Sequence, residues 1–345
     1  MGRSARSWDE SDVRVRPNRR GSRPRTKERP KHEDAVIGRV TAVDRGRWTV
    51  LVPAGDGHPE RVVIAMRARE LGRTPVVVGD QVGMVGDTSG RTDTLARIVR
   101  IEERATVLRR TADDTDPVER VIVANADQLV VVAALADPEP RPRLIDRCLV
   151  AAYDAGMDPL LVLTKSDLAP AEDFLGQYAP LDVPHVVTSV LAGDEPPAEL
   201  RSRLAGRVSV LVGHSGVGKS TLVNALVPDA RRATGHVNDV TGRGRHTSTS
   251  ALGLRLPTDG AEAWIIDTPG IRSFGLAHVE ADTIIGHFPE LAEGAAEGCP
   301  RGCTHDEPDC ALDAWVAEGH AGAGGEQRLD SLRRLLRART GEDGH

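Results

Sequence analysis

The sequence predicts a multi-domain protein built from an all-β barrel, an α/β domain with a mostly parallel sheet, and a small α-helical domain. Short apolar runs separated by Gly, Asp and Pro turns fill residues 36–110, which is typical of a small barrel. From residue 118 to about 275 apolar runs alternate with helical patterns, as a parallel sheet requires. Short helical patterns around three closely spaced cysteines follow, and 345 residues are enough for two or three domains.

The N-terminal segment is basic. Residues 1–33 are rich in Arg, Pro and Ser and poor in apolar side chains, which predicts a disordered tail. The first 110 residues sum to a charge of +9 and the remainder to −15, within an overall net charge of −6. This asymmetry indicates that the N-terminal portion meets a polyanion. A solvated tail without a partner explains the charge of residues 1–33 equally well.

The predicted barrel occupies residues 35–110. Its clearest strands are Val36–Val43, Trp48–Val52, Arg61–Ile64 and Gln81–Val85, and about five such strands make a barrel of the OB type. Trp48 is the only aromatic residue between positions 36 and 110, whereas OB-folds that bind single strands stack bases on aromatic side chains. We therefore expect the barrel to recognise the shape and phosphates of RNA. A protein-contact module is the alternative.

Residues 213–220 match the phosphate-binding pattern Gly-x-x-x-x-Gly-Lys-Ser. The apolar run Val208–Val212 predicts a strand before the loop, and Lys219–Leu226 predicts a helix after it. Backbone N–H groups would cradle phosphates, Lys219 would reach the β and γ oxygens, and Ser220 would ligate Mg²⁺. The predicted nucleotide-contacting residues here are Gly213, His214, Ser215, Gly216, Val217, Gly218, Lys219, Ser220 and Thr221.

A base-reading motif lies upstream of the phosphate loop. The buried strand Leu160–Leu163 ends in Thr164, Lys165, Ser166 and Asp167, where GTPases place Asn-Lys-x-Asp. The Asp167 carboxylate would accept hydrogen bonds from guanine N1–H and the 2-amino group, which adenine lacks. Thr164 stands where the usual motif has Asn. Thr188 and Ser189 follow another short strand and resemble the loop that backs guanine O6.

Two further motifs follow the phosphate loop. The apolar run before Asp267 leads into Asp267-Thr-Pro-Gly270, in which Asp267 would hold Mg²⁺ through water and the Gly270 amide would sense the γ-phosphate. The polar stretch 231–250 is where a switch loop belongs. A hydroxyl of this stretch would meet Mg²⁺, and Thr247, Ser248 and Thr249 are the candidates, of which we take Thr247.

In an ordinary GTPase the base reader and its backing loop come last, whereas here they come first. The sequence therefore predicts a circularly permuted α/β P-loop GTPase domain over residues 118–275. Permutation is tolerable because the termini of a domain usually lie close together at its surface. The water-orienting glutamine that often follows the Asp-x-x-Gly motif is replaced by Ile271, which cannot hydrogen-bond a water. We take His246 as the candidate catalytic residue; contact with RNA or solvent is its alternative role.

The C-terminal cysteines form a metal-ligand pattern. Cys299, Cys303, His305 and Cys310 follow the spacing C-x₃-C-x-H-x₄-C, and zinc accepts three thiolates and one imidazole tetrahedrally. Four protein ligands leave no open position, so one structural zinc is predicted; free cysteines in a loop are the alternative. Helices over Ala311–Val316 and Leu329–Leu336 would pack around it, which gives a small α-helical zinc domain at residues 276–338.

Over roughly residues 35–335 the chain resembles the bacterial ribosome small-subunit-dependent GTPase A family. The resemblance rests on the permuted order of the motifs at Thr164–Asp167, Gly213–Ser220 and Asp267–Gly270 and on the cysteine cluster. It implies a GTP hydrolase that forms GDP, binds the small ribosomal subunit and its rRNA, acts late in subunit maturation, and is stimulated by the subunit. The family carries a His in the context of His246. Its first and last zinc-ligand gaps are usually one residue longer.

Two other functions remain as alternatives: an RNA-binding assembly factor that uses GTP only as an occupancy switch, and an ATP-dependent P-loop enzyme such as a kinase. Asp167 argues against the kinase. The sequence has no twenty-residue apolar run and no apolar leader, so no membrane association is expected. Clustered cysteines favour a metal site in a reducing compartment, so we expect a cytoplasmic protein, and we expect it to be a monomer.

Overall fold

The computed structural model describes most of the chain beyond its first 31 residues. The described residues are 32–55, 57–111, 118–191, 195–228, 251–258, 260–269, 275–276 and 278–340. The predicted basic tail lies outside them except for positions 32 and 33. The predicted switch stretch, with His246 and Thr247, lies outside them entirely.

Five strands form a closed barrel. They are β1 (Val36–Asp44), β2 (Arg47–Val52), β3 (Arg61–Arg67), β4 (Gln81–Gly86) and β5 (Ala96–Ile101). β1 pairs antiparallel with both β2 and β4, β2 pairs with β3, β4 pairs with β5, and β3 runs parallel to β5. This circular order confirms the predicted OB-type barrel. β3 continues beyond the predicted Ile64 because Ala65 and Arg67 pair with β5.

Alternating side chains fill the barrel. Val50 and Met84 are fully buried, as period-2 strands with one inward face require. Trp48 is also a core residue: it is 8% exposed, and its Nε1 donates to the Val76 carbonyl at 3.0 Å. The single aromatic side chain of the barrel therefore presents no face to solvent on which a base could stack.

A short ribbon joins the barrel to the second domain. It consists of β6 (Val107–Arg110) and β7 (Arg120–Ala124), which pair antiparallel. Asn125 follows β7 at φ +55°, accepts from the Ala105 N–H at 2.8 Å, and donates to the Gly79 carbonyl at 3.1 Å. Its one side chain thus ties the ribbon to the loop that precedes β4.

The second domain is an α/β layer structure. Its elements in chain order are β8 (Gln128–Ala134), α1 (Pro142–Asp154), β9 (Asp158–Thr164), α2 (Glu172–Gly176), β10 (His185–Val187), α3 (Ala198–Leu204), β11 (Val208–Val212), α4 (Lys219–Leu226), β12 (Leu252–Leu256) and β13 (Ala263–Asp267). The spatial order is β10-β9-β8-β11-β13-β12, parallel except for β12. Every residue of β8 and β11 is buried, as expected for strands covered on both faces. β9 and β10 precede β11 in the chain yet extend the same sheet, which confirms the permuted order.

The barrel and the α/β sheet are continuous. β1 pairs with β12 at Ala42 and Leu252, which gives one eleven-stranded sheet. Beside this junction Arg255 of β12 donates to both carboxylate oxygens of Glu60, at 3.0 and 2.6 Å. The guanidinium groups of Arg255 and Arg39 lie 5.3 and 5.6 Å from the ring centre of Trp264. The barrel and the α/β sheet are thus joined by a pair of strands, and an ion pair and two cation–π contacts reinforce this junction.

Within the described residues, four helices follow the α/β domain. They are α5 (Ala281–Ile285), α6 (Pro289–Gly298), α7 (Ala311–Ala317) and α8 (Gly325–Thr340). α7 and α8 contain the two predicted C-terminal helices. α8 packs on α1, where Arg334 forms an ion pair with the buried Asp146 at 3.1 Å and Arg147 donates to the Ala338 carbonyl. None of the helices within the described ranges has the length and apolar composition needed to cross a bilayer.

Candidate functional site

The loop between β11 and α4 lies at the carboxyl edge of the parallel sheet. Gly213 begins it, and a Cβ at this position would lie 2.5 Å from the Val132 carbonyl oxygen, so the loop passes too close to β8 for any larger residue. Gly218 has φ +88° and is the N-cap of α4. The first turn of a helix presents N–H groups without intrahelical partners, so this loop and α4 form a cradle for an anion.

The remaining side chains of the loop differ in exposure. Val217 is 4% exposed and belongs to the core, whereas Ser215 and Ser220 are exposed. His214 is half-buried, with Nδ1 2.9 Å from the Ser215 carbonyl oxygen. Thr221, in the first turn of α4, is half-buried. The predicted phosphate-contacting residues therefore lie together, with Val217 holding the loop to the core.

Lys219 and Asp267 meet at this edge. β11 and β13 are parallel, and Leu211 lies opposite Asp267. The phosphate loop and the segment that begins at Asp267 therefore start at the same edge of the sheet. Lys219 is 8% exposed, and its ammonium forms an ion pair with Asp267 and donates to the Thr268 carbonyl at 2.6 Å. The half-exposed Asp267 carboxylate therefore lies directly beside the phosphate cradle.

The base-reading motif lies against the phosphate loop. Thr164, the last residue of β9, is 6% exposed, and its hydroxyl donates to the Val217 carbonyl at 2.6 Å. Ser166 donates its N–H to the Thr188 carbonyl at 3.3 Å, and the Thr188 N–H donates to the Leu163 carbonyl at 2.8 Å. Backbone hydrogen bonds thus hold the predicted base reader and its backing loop side by side.

Asp167 and Ser189 are exposed at the ends of these two loops, and Lys165 lies between the base reader and a third loop. Lys165 adopts φ +60°, and its ammonium donates to the Asp137 carbonyl. Asp137 is not among the residues predicted from the sequence. A signal was present, because Asp137-Pro138 is a turn dipeptide shortly after the buried β8, which ends at Ala134, at the edge where parallel strands place ligand-binding loops.

Other predicted site residues lie outside the described residues. They are His246 and the three switch hydroxyls Thr247, Ser248 and Thr249, together with Gly270 and the neighbouring Ile271. The strands on either side of these segments are placed: β12 begins after the switch stretch, and β13 ends at Asp267.

The predicted metal ligands form a compact group in the loop between α6 and α7. One ligand atom from each of Cys299, Cys303, His305 and Cys310 lies within 4.8 Å of all the others. The Cys299 and Cys310 sulfurs are 3.8 Å apart, and the Cys310 sulfur is 3.9 Å from His305 Nδ1. A tetrahedral zinc with Zn–S bonds of about 2.3 Å places neighbouring sulfurs about 3.8 Å apart, so this donor set fits the ion.

The surroundings of the cluster favour the uncharged forms of its thiol and imidazole groups. Burial raises the pKa of the Cys303 and Cys310 thiols and lowers the pKa of the His305 imidazole. A metal ion that binds here must therefore displace thiol protons, so its affinity rises with pH. Arg333 of α8 donates to the His305 carbonyl at 3.0 Å and to both oxygens of Asp313, which ties the loop to two helices.

The fold and these loops define a P-loop α/β domain with the circularly permuted motif order of a GTPase domain, preceded by an OB-type barrel and followed by a C-terminal helical domain that contains a metal-ligand cluster. A family model described as RsgA GTPase matches residues 101–277, about half of the chain. The chain belongs to this RsgA GTPase family, as the resemblance in the sequence indicated.

Individual relatives agree with the family assignment. A protein of Pseudomonas aeruginosa strain PAO1 named small ribosomal subunit biogenesis GTPase RsgA is 38% identical over 294 residues, which cover 83% of this chain and 81% of the relative. A protein of Pseudomonas putida strain KT2440 with the same name is 43% identical over 222 residues, 62% of each chain. The chain thus spans about three fifths of the length of the Pseudomonas putida relatives that it matches.

Two crystal structures have a similar fold. YjeQ from Thermotoga maritima superposes with a TM-score of 0.60 at 24% identity, over 89% of this chain and 99% of that one. YloQ, described as a circularly permuted GTPase, superposes with a TM-score of 0.59 at 22% identity, over 91% and 98% of the two chains. At these coverages both superpositions support the three-part architecture.

Proposed function

We propose that this protein is a cytoplasmic GTPase that binds the small ribosomal subunit and acts in its late maturation, with hydrolysis stimulated by the subunit. One observation carries the proposal: the phosphate loop, the base-reading loop and Asp267 converge at one edge of the parallel sheet. The names of the Pseudomonas relatives support the subunit as partner. The proposed domains are the tail at residues 1–33, the barrel at 35–110, the permuted GTPase at 118–275 and the zinc domain at 276–338.

Guanine is selected by Asp167 in this proposal. Its exposed carboxylate would accept from N1–H and the 2-amino group of the base, and the Lys165 stem would lie along the base plane. Thr188 and Ser189 would back the O6 edge. The backbone hydrogen bonds between Ser166, Thr188 and Leu163 support this assignment, because they keep the two loops at a constant separation.

The phosphates are held by the loop of residues 213–218 and by Lys219. The residues present also fit Mg²⁺, a cation that prefers oxygen ligands, because the exposed Ser220 hydroxyl and the Asp267 carboxylate flank the cradle. Ser220 and Thr247 are the proposed direct side-chain donors, and Asp267 would hold the ion through water. When bound, Mg²⁺ neutralises charge on the β and γ oxygens. The chain contributes positioning: Lys219 exchanges its contact with Asp267 for a phosphate oxygen, and the loop amides orient the phosphates.

Docking to the subunit is assigned to the barrel. Arg45, Arg47 and Arg97 are exposed on it, whereas its one aromatic side chain is buried, which supports contact with phosphates rather than with stacked bases. β1 of the barrel pairs with β12, the strand that follows the switch stretch. A contact that shifts β1 of the barrel would therefore act directly on β12, the strand that follows the switch stretch in the chain.

The cluster of Cys299, Cys303, His305 and Cys310 is proposed to hold one structural zinc. The number and type of ligands and the 3.8 Å separation of two sulfurs support zinc, and four protein ligands leave no position for a reacting water. The protein is proposed to act as a monomer.

Single-turnover hydrolysis across a titration of purified small subunits tests the proposed function. We expect slow turnover of the isolated protein and a saturable rise of at least about tenfold, because docking would complete the catalytic site. Large subunits at equal concentration are the control and should not stimulate. GTP-dependent binding to small subunits with an unchanged hydrolysis rate would favour the occupancy switch, and preference for ATP would favour a different P-loop enzyme.

The variant His246→Ala tests the source of the stimulated rate. We expect it to bind GTP and small subunits nearly as the parent protein does and to lose most of the stimulated rate, because Ile271 cannot orient the attacking water. The loss should be about 100-fold, within the range for removal of a general base or water-orienting group. The exposed His185 replaced by alanine is the control. Full stimulation of the His246 variant would show that another group positions the water.

The variant Lys219→Ala tests the phosphate site. Loss of charge-assisted hydrogen bonds worth about 1.5–3 kcal/mol should weaken GTP binding about 10- to 100-fold. Binding titration with GTP and Mg²⁺ measures the effect. Arg203→Ala removes an equal charge from α3, where Arg203 pairs with Glu199, and should leave the affinity unchanged. Equal affinities of the Lys219 variant and the parent would remove Lys219 from the site.

A further inference from the structure

The barrel lies two strands away from Asp267 in the continuous sheet. Leu252 of β12 is paired with Ala42 of the barrel strand β1 on one side and with Asp267 of β13 on the other. Because neighbouring strands are about 4.8 Å apart, this row of three residues places the backbone of β1 about 10 Å from the backbone of Asp267. A displacement of β1 that β12 and β13 follow would therefore move the carboxylate beside the phosphate cradle.

Side chains reinforce this row at the next outward-facing positions of the same strands. Within the described residues, β1 and β12 are paired at one position, Ala42 with Leu252. Three residues further along β12, Arg255 lies opposite Trp264 of β13 and donates two hydrogen bonds to the Glu60 carboxylate of the barrel. A guanidinium that meets both oxygens of a carboxylate fixes the direction of the contact as well as its length.

Trp264 connects β13 to the barrel by a second contact. It is 5% exposed, and the guanidinium groups of Arg255 and of Arg39, in β1, both lie over its ring. Arg39 Nη1 is buried and has no hydrogen-bond partner among the residues that the structure describes, so the ring face helps to stabilise this charge. Glu60, Arg255, Trp264 and Arg39 thus form a clamp that begins and ends in the barrel and holds one residue each of β12 and β13.

We propose that Arg255 is a positioning residue: through the clamp it makes β12 and β13 follow the barrel, so that a partner bound to the barrel changes the position of Asp267 beside the phosphates. The inference rests on the proposed docking of the small subunit to the barrel. Arg255 acts at a distance from the nucleotide, because it lies opposite Trp264, three residues before Asp267 along β13.

The exposure of Arg255 makes the clamp testable without damage to the core. Its side chain is 44% exposed, and ion pairs at such exposure usually contribute little to stability. Arg255→Ala should therefore keep a melting temperature close to that of the parent protein. The effect of the variant should appear instead in the coupling between the barrel and the nucleotide site.

The first experiment measures this coupling as a ratio of two dissociation constants of the small subunit, one with GDP and one with a non-hydrolysable GTP analogue. Both nucleotides are saturating, so a change in nucleotide affinity does not alter the ratio. Coupled sites change each other's affinity roughly 5- to 150-fold, so we expect a ratio of about ten for the parent and a ratio within about twofold of one for Arg255→Ala. Equal ratios in the parent and in Arg255→Ala would overturn the inference.

Arg207→Ala is the matched control. The Arg207 side chain is 40% exposed, close to the value for Arg255, and its ion pair with Asp158 at 2.6 Å joins two strands of the same sheet without the barrel. This variant should keep the parent ratio. Loss of the ratio in both variants would show that any broken surface ion pair is sufficient, and this result would refute the clamp.

The second experiment separates the clamp from the charge of Arg255. Glu60→Gln should lower the ratio, and the double variant should lose no more than Arg255→Ala alone, because residues in one chain of contacts are not additive. Trp264→Phe keeps a ring face and should retain more of the coupling than Trp264→Leu, which keeps only apolar volume. Additive effects of Glu60 and Arg255, or equal ratios in the two Trp264 variants, would contradict the clamp.

The same measurements separate this inference from the proposed function. A parent protein that does not bind small subunits with either nucleotide would remove the proposed function and this inference with it. Subunit binding with a ratio that Arg255→Ala leaves unchanged would remove this inference alone. A ratio that falls in Arg255→Ala and is retained in Arg207→Ala would establish the clamp as the connection between the barrel and Asp267.

Discussion

Replacement of Asp167 by asparagine is expected to change the preferred nucleotide from GTP to xanthosine triphosphate. Asparagine presents an N–H donor to the 2-amino group of guanine, itself a donor, so this contact becomes unfavourable. Xanthine has a 2-oxo group, which accepts from the new amide while N1–H still donates to the amide carbonyl. Because hydrogen bonds to charged groups contribute about 1.5–3 kcal/mol and a donor is left unpaired, GTP affinity should fall by about 100-fold or more.

Binding titrations of the parent and the variant with both nucleotides measure this exchange. Asp173→Asn is the control, because Asp173 is an exposed carboxylate in α2, downstream of the same loop, and the change of charge is identical. The control should keep the parent preference. Unchanged GTP affinity in the Asp167 variant would exclude this residue from the site and would leave the base without an identified reader.

The site was predictable from sequence where its residues are close in the chain. The phosphate loop is a run of eight residues between an apolar strand and a helix, and each element is encoded locally. The loop that we propose as the base reader was predictable as a loop at the end of a strand for the same reason. Their meeting in space follows from a general rule, since loops at the carboxyl ends of parallel strands share one edge of a sheet.

Contacts between segments that are distant in the chain could not be predicted from the sequence in the same way. The pairing of β1 with β12 joins residues 42 and 252, and no local pattern records which strand covers the edge of a sheet. The hydrogen bond from Thr164 to Val217 joins residues 53 positions apart. It depends on how far β9 and β11 extend toward the same edge of the sheet. Propensity and periodicity describe segments, whereas these contacts depend on how the segments pack.

The buried charges of the C-terminal interface illustrate the same limit. Asp146 and Arg147 occur in α1, where the apolar positions are already explained by burial against the sheet. Only the docking of α8 shows why two charged residues are also buried there. Removing one partner of such a pair leaves an uncompensated buried charge, so this interface depends on complementary groups from helices that are far apart in sequence.

Loss of the metal ion is expected to unfold the loop from Cys299 to about Ala317 and to leave nucleotide binding intact. The ligands lie in a loop between α6 and α7, and zinc binding by such segments contributes about 10–16 kcal/mol in isolated zinc fingers. α8 should keep most of its structure, because Leu332 and Leu335 are fully buried and Arg334 pairs with Asp146. Hydrogen exchange before and after chelation measures which segments lose protection.

The four cysteines of the chain provide the control. We expect one equivalent of zinc to copurify with the parent protein. Cys303→Ala should abolish this proposed zinc binding, whereas Cys148→Ala should retain it, because Cys148 is buried in α1 away from the cluster. Elemental analysis of both variants separates loss of a ligand from loss of a core sulfur. A metal-free parent protein that shows the same exchange protection at residues 299–317 would contradict the structural role. If protection were lost throughout α8 as well, the cluster would also be holding the helical domain on α1, and the contacts of Arg334 and the buried leucines would be insufficient without it.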